Sequence, residues 1–179
     1  MNHHFYTKDK TKVLLRKLEP KDAEIVLEYL QIVGGETDFL LFDETGLGVD
    51  LEQERVILEQ TFNDPISLLL GCFIEDEIIA ISNLSVKERL RINHIATIGL
   101  SVKKSWWNKG IGSEILKYFI GYSLENKQIK IIRLDVRTDN LKAINMYKKS
   151  GFETVGRTPK AVKINDKYYD QYSMIKDLY

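Results

Sequence analysis

Residues 101–119, SVKKSWWNKGIGSEILKYF, place Gly110 and Gly112 one residue apart behind Lys109, between an apolar run and a segment of helical spacing. At such a junction the first N–H groups of the helix have no partner within it and lie at the positive end of its dipole, so the oxygens of a phosphate can bind them. Glycine removes the side chains that would hold the phosphate off, and Lys103, Lys104 and Lys109 add positive charge nearby. The alternative reading is a glycine-eased turn flanked by solvated lysines. Two common phosphate motifs do not match. A P-loop needs its lysine after the last glycine, whereas Lys109 precedes Gly110. A dinucleotide fingerprint needs a third small residue where Ile115 stands, and an early βαβ strand in front of it.

The elements around this stretch read as a mixed α/β domain. VLLRKLEP (13–20) has strand character, and Pro20 with Asp22 opens an amphipathic helix through DAEIVLEYLQIV. Residues 34–50 combine glycine, acidic and aromatic residues without a steady period. The following LEQERVILEQTF spaces Leu51, Arg55, Leu58 and Phe62 as a helix does, so loop and helix together are placed to roof a pocket. SLLLGCFIEDEIIAISNLSV reads as a hairpin, and IATIGLSV (95–102) adds a third strand in antiparallel meander order. Behind Gly110, the residues Ile111, Ile115, Leu116, Phe119 and Ile120 form one buried helical stripe. Ile132, Leu134 and Val136 then alternate as in a strand; a helix joining two strands is a crossover, which makes these strands parallel neighbours. Asn140 starts the helix NLKAINMYKKSG with Gly151 as its C-terminal stop, and FETVGRT and KYYDQYSMIKDLY supply two last antiparallel strands. The expected total is one domain over residues 1–179, with a mostly antiparallel sheet of about seven strands and helices on both faces.

Composition narrows the function. The 26 basic and 26 acidic residues cancel, leaving no overall field for a nucleic-acid backbone or an anionic membrane. No apolar run approaches the ~18 residues of a membrane span, and MNHHFYTKDK lacks the apolar core of a signal peptide, so a cytoplasmic protein is expected. Cys72 is the single cysteine and reads as a small core residue in LLLGCFI. His3 and His4 are adjacent and His94 is distant, which is no metal-ligand spacing, and no metal is expected.

WNKGIG (107–112) resembles the pyrophosphate loop of the GNAT superfamily of acyl-CoA-dependent N-acetyltransferases, Q/R-x-x-G-x-G/A after a strand, with Trp107 in place of the usual Gln or Arg. NLKAINMYKKSGFETVG resembles the superfamily's N-x-x-A-x-x-L/M-Y-x-x-x-G-F segment. The resemblance runs from VLLRKLEPKDA through the last strands and is weakest over residues 34–62.

It implies acetyl-CoA as acyl donor, held where the strand ending at Val102 and the strand ending near Arg137 splay apart. Backbone groups near Leu100 and Val102 would pair with the pantetheine arm. Trp107, Asn108, Lys109, Gly110, Ile111, Gly112 and Ser113 would surround the pyrophosphate, with Asn140 and Asn145 reaching the cofactor from the next helix; Asn140 also reads as a plain N-cap. Tyr147, at the family's tyrosine position, would protonate the departing thiolate, and an N–H near Ile98 to Leu100 would hold the oxyanion. No Asp or Glu lies between Arg91 and Val102, which leaves His94 as the base to consider, with a structural histidine as its alternative. Glu36 and Asp38, with Asp43 and Glu44, are the acidic loop residues available to an amine. The expected reaction is acetylation of a primary amine, foremost of a small molecule, by direct attack in a ternary complex. A protein N-terminus or lysine as acceptor, a non-catalytic acyl-CoA sensor, and a homodimer remain open.

Overall fold

The structure, a computed structural model, describes residues 2–179. Among the described residues there are eight strands: β1 (Asn2–Tyr6), β2 (Lys12–Lys17), β3 (Leu68–Ile74), β4 (Glu77–Val86), β5 (Ile95–Val102), β6 (Ile131–Arg137), β7 (Glu153–Ile164) and β8 (Lys167–Asp177). They follow the sheet order β1-β2-β3-β4-β5-β6-β8-β7. The α-helices are α1 (Ala23–Glu36), α2 (Leu51–Asn63), α3 (Ile111–Glu125) and α4 (Leu141–Lys149). The mixed α/β class and the mostly antiparallel sheet agree with the sequence; the strand number is eight rather than seven. The extra strand is β1, where only Phe5 is buried and the apolar alternation that marks a half-buried strand is too sparse to read. Among the described residues no helix is long and apolar enough to cross a membrane.

The chain forms two compact units, one of residues up to Leu84 with Leu100–Glu114, the other of Ser85–Gly99 with Ile115–Tyr179. In the first, α1 turns Ala23, Val26, Tyr29, Leu30 and Val33 onto a core shared with Leu58, Phe73 and Ile81, as an apolar stripe of helical period must. α1 begins behind Arg16, whose guanidinium grips the buried Asp22 carboxylate with bonds of 2.6 and 2.9 Å and lies 3.9 Å over the Phe73 ring. Burial works against the Asp22 charge, but the Arg16 fork and the Glu19 N–H outweigh it and hold the carboxyl below its ordinary pKa.

Two sequence expectations change here. The irregular segment starts at Thr37, not at Gly34, because α1 runs on through Gly34 and Gly35 to Glu36. Gly34 is needed for close approach: a Cβ there would lie 2.0 Å from the carbonyl oxygen of Asp43, where the following loop crosses the helix. On α2 the inward stripe is Leu51, Glu54 and Leu58; Phe62 is 42% exposed and Arg55 pairs outward with Glu52 at 2.5 Å.

In the second unit, the parallel ladder between β5 and β6 joins Ile95–Thr97 to Ile131–Arg133 and stops there. Ile98 and Gly99 of β5, and β6 from Leu134 on, carry no bonds to each other, while β6 stays paired with β8 from Ile131 to Arg137. Ile115, Leu116 and Phe119 of α3, Ile132 and Leu134 of β6, and Ile144 of α4 are buried. β7 is a mostly exposed edge strand with irregular pairing between Thr158 and Val162, which is where a sheet tolerates Pro159.

Candidate functional site

In the first unit, β5 ends at Val102, Lys104–Trp106 make a short 3-10 turn, and α3 starts at Ile111. The backbone between them passes through the left-handed region twice, at Asn108 (φ 64°) and Gly110 (φ 93°). Asn tolerates that conformation better than most side chains, while φ 93° suits only glycine. A Cβ at Gly110 would meet only Lys8 Cγ and Cε, at 3.7 and 3.9 Å, so the position needs glycine for its dihedral angle rather than for space. Gly112 is the second residue of α3.

The side chains here are already engaged within the protein. Trp107 turns its indole back and donates from Nε1 to the Val102 carbonyl at 2.7 Å, clamping the loop to the strand. Lys109 Nζ pairs with Asp9 at 2.8 Å and lies 4.3 Å over the Trp106 ring, and its carbonyl accepts from Lys8 N at 3.0 Å, which ties the loop to the turn between β1 and β2. Hydrogen bonds from Lys109 and then Thr7 hold the Asp9 carboxyl well below the usual carboxylate range. Lys103 Nζ pairs with Glu77 at 2.7 Å. Of the three lysines read as a positive patch, two therefore have local counter-charges.

Glu36 Oε2 accepts from the backbone N–H of Lys104 at 2.6 Å, so this carboxylate, read from the sequence as an amine ligand, caps the turn behind β5. Asp38 is exposed just beyond α1. Asp43 accepts from Thr45 N at 2.9 Å and Thr45 Oγ1 at 2.5 Å, which lowers its pKa, and Glu44 is exposed. Leu100 and Val102 are half-buried. Between them Ser101 Oγ lies 3.0 Å from the Tyr29 hydroxyl, which in turn accepts from Ile81 N at 3.2 Å. Either hydroxyl can donate across this contact, and burial keeps the Tyr29 phenol neutral far above its ordinary pKa. Tyr29 was legible only as one residue of an apolar stripe; its hydroxyl contact 72 residues away has no local signal.

In the second unit, α4 carries the tyrosine. Asn140 is its N-cap, its side chain accepting from Ala143 N at 3.2 Å, and Gly151 (φ 84°) stops it, both as expected. Tyr147 is 8% exposed, its ring 5.9 Å from that of Phe152 at 59°. Its hydroxyl has no hydrogen-bond partner among the described residues, and burial alone pushes its pKa up to about 12. At about 100° per residue, Asn140 and Tyr147 share a face two turns apart, whereas Asn145 lies about 200° from Tyr147 on the exposed side with Leu141. α4 thus brings Asn140 and Tyr147 together and turns Asn145 away.

His94 sits in the turn before β5, half-buried, its carbonyl accepting from Lys130 N at 2.8 Å and Ile131 N at 3.2 Å. Ile98 and Gly99, where β5 leaves the ladder with β6, follow it by four and five residues, about 13 to 17 Å at 3.3 Å each. Cys72 is buried in the core of β3, and burial pushes its thiol up to about 12. Sequence reading also missed Glu54, a carboxylate only 3% exposed on the inward face of α2; burial raises its pKa.

Comparison with known proteins adds a second, independent line. Residues 38–152 match the model of the Acetyltransferase (GNAT) family. L-amino acid N-acetyltransferase AaaT of Escherichia coli (strain K12) is 32% identical over 111 residues, 62% of this chain and 68% of that protein. A GNAT-family acetyltransferase from Streptococcus pneumoniae superposes with a TM-score of 0.88 at 30% identity, covering 93% of this chain and 99% of the other. The ribosomal-protein-alanine N-acetyltransferase of Brucella melitensis shares the fold with a TM-score of 0.77 at 20% identity, over 92% of this chain and 99% of its own.

Proposed function

Belonging to the Acetyltransferase (GNAT) family, this chain is an acyl-CoA-dependent N-acetyltransferase, and we propose that it acetylates a primary amine of a small molecule by direct attack in a ternary complex. One observation carries the residue assignment: β5 runs through a left-handed Asn108 and Gly110 into the start of α3, which leaves the first N–H groups of that helix for a pyrophosphate. The loop fits such a group through its backbone. Asn108 to Ser113 would hold the phosphates, and Leu100 and Val102 would line the pantetheine, with the Val102 carbonyl already shared with Trp107. Asn140 and Tyr147 are assigned to the cofactor from their shared face of α4; Asn145, on the exposed face, is not.

Tyr147 is assigned to the leaving group. A phenol near 12 stays protonated throughout neutral pH, but handing its proton fully to a thiolate of pKa about 8.5 is uphill by about 5 kcal/mol. The role that fits is a hydrogen bond to the sulfur as negative charge develops there, with any proton transfer late. Of the N–H groups of Ile98 and Gly99, which point to opposite edges of β5, the one on the β6 side, off the β5–β6 ladder, is the candidate for the acyl oxygen. His94, about 13 to 17 Å along β5 from these N–H groups at 3.3 Å per residue, is not assigned as a base in direct contact with the amine.

The small-molecule acceptor is supported by the 32% identical relative, whose name describes an L-amino acid N-acetyltransferase. A protein N-terminus is the second reading, supported by the fold shared with a ribosomal-protein-alanine N-acetyltransferase. An α-amine near pKa 8 costs about 1 kcal/mol to neutralise at pH 7 and a lysine-like amine about 4 to 5, so rates should climb with pH towards the acceptor's pKa. The test is thiol release from acetyl-CoA across free amino acids, diamines, aminoglycosides and alanine-initiated peptides, with product masses. Release and a 42 Da gain on a small amine are expected; a gain only on peptides selects the second reading, and acetyl-CoA binding without turnover leaves a sensor.

The same reading gives a result for Asp9. Replacing it by asparagine should free Lys109 and tighten CoA binding about two- to five-fold at low salt, the difference fading at high salt. Equal dissociation constants at low salt, by titration calorimetry, would exclude Lys109 from phosphate binding.

A further inference from the structure

Three charged side chains are buried among the described residues, and two of them have partners: Asp22 is held by Arg16, and Arg137 by Asp139 at 2.6 Å. The third, Glu54, is 3% exposed and makes no ion pair or side-chain hydrogen bond. It faces inward between Leu51 and Leu58, next to a cluster that also takes in Leu40 and Phe42 of the segment before α2. The bases around α2 are committed elsewhere. Arg55 holds Glu52, Arg16 holds Asp22, and Lys17 donates to the carbonyls of Phe62 and Asp64 at 3.2 and 3.4 Å.

A carboxylate buried without a partner costs more folding free energy than a neutral glutamine at the same place would, and leucine would avoid that cost. Burial alone shifts its pKa upward, with no opposing cation from the chain. The group is thus set up to gain from a positive charge supplied from outside. Close by in sequence, Phe39, Leu41 and Leu47 are 40%, 81% and 54% exposed, apolar surface on which a hydrocarbon chain could pack.

We propose that Glu54 anchors a cationic group of the acceptor, so that the preferred substrates are amines bearing a second positive charge, such as diamines and basic amino acids. This rests on the amine-acetylation reading above. The second charge binds as an ammonium at Glu54, while a different, neutral amine attacks the acetyl group. Glu54 is here a specificity residue, not a base, and its loss should appear in KM rather than kcat.

Two matched pairs differing in one charge test this: lysine against norleucine, and 1,4-diaminobutane against butylamine. Wild-type enzyme should favour the member of each pair with the additional amino group by about tenfold or more in kcat/KM, as expected for a desolvated charge pair. Glu54→Gln should abolish the preference through KM with kcat within about twofold, and Glu54→Asp should keep part of it. Apo Glu54→Gln should melt at or above the wild-type temperature, since an uncompensated charge has gone; if it does not fold, Glu54→Met serves in its place. Undiminished discrimination in the folded variant, or none in wild type, overturns the proposal. If wild type acetylates no amine, the activity reading fails separately, and thermal shift decides: 1,4-diaminobutane raising the melting temperature of wild type but not of Glu54→Gln supports the anchor, and equal shifts overturn it.

Discussion

Replacing Tyr147 by phenylalanine should lower kcat for acetyl transfer by about 10²- to 10³-fold while leaving the dissociation constant of acetyl-CoA within about twofold. The separation follows from the surroundings of the hydroxyl. It has no protein partner, so its removal strands no buried donor or acceptor, and the ring keeps its packing against Phe152. Stability should change by less than about 1 kcal/mol, which lets the kinetic effect be read directly. The pH behaviour follows from the raised pKa. Tyr147 titrates near 10 unfolded and about 12 folded, so the native state binds more protons across that interval. Its contribution to stability is complete below about pH 10 and is lost as pH rises through 12. The wild-type rate should therefore show no falling limb from this phenol below about pH 11. Unchanged kcat in the phenylalanine variant, with chemistry shown to limit turnover by the absence of a pre-steady-state burst, would remove Tyr147 from the reaction.

Features written in local spacing could be read before the fold was seen. The strand, glycine and helix order around Gly110, the Asn140 cap, the Gly151 stop and the parallel crossover from β5 to β6 each depend on residues a few positions apart or on one helical or strand period. Contacts between distant segments could not. Asp9 meets Lys109 across 100 residues and Glu36 meets Lys104 across 68, and neither pairing has a period or a motif. The lysine-rich loop thus looked more positive in the sequence than it is in the fold. Trp107 departs from the family pattern for a local reason that letters alone do not give: its indole bonds to the strand carbonyl five residues back. Glu54 was hidden by its type, since a glutamate among Glu52, Gln53 and Arg55 reads as solvent-facing until the helix is docked on α1.

Changing Gly110 to valine should weaken acetyl-CoA binding by about 10- to 100-fold. The cause is conformational. A β-branched residue at φ 93° is strained by about 1 to 3 kcal/mol, which the loop can relieve only by rotating its backbone and so re-aiming the N–H groups at the start of α3. Nothing blocks folding, since a Cβ at this place meets only the flexible Lys8 side chain at 3.7 Å. The matched control is Gly48→Val. Gly48 also has positive φ, 69°, and open space around its Cβ direction, so it carries similar strain without touching the glycine loop. Both variants should lose a few degrees of melting temperature, but only the one at Gly110 should lose affinity for CoA in calorimetry. Equal affinities in the two variants would mean that the phosphates do not depend on this backbone, and the assignment of residues 108–113 would have to be given up.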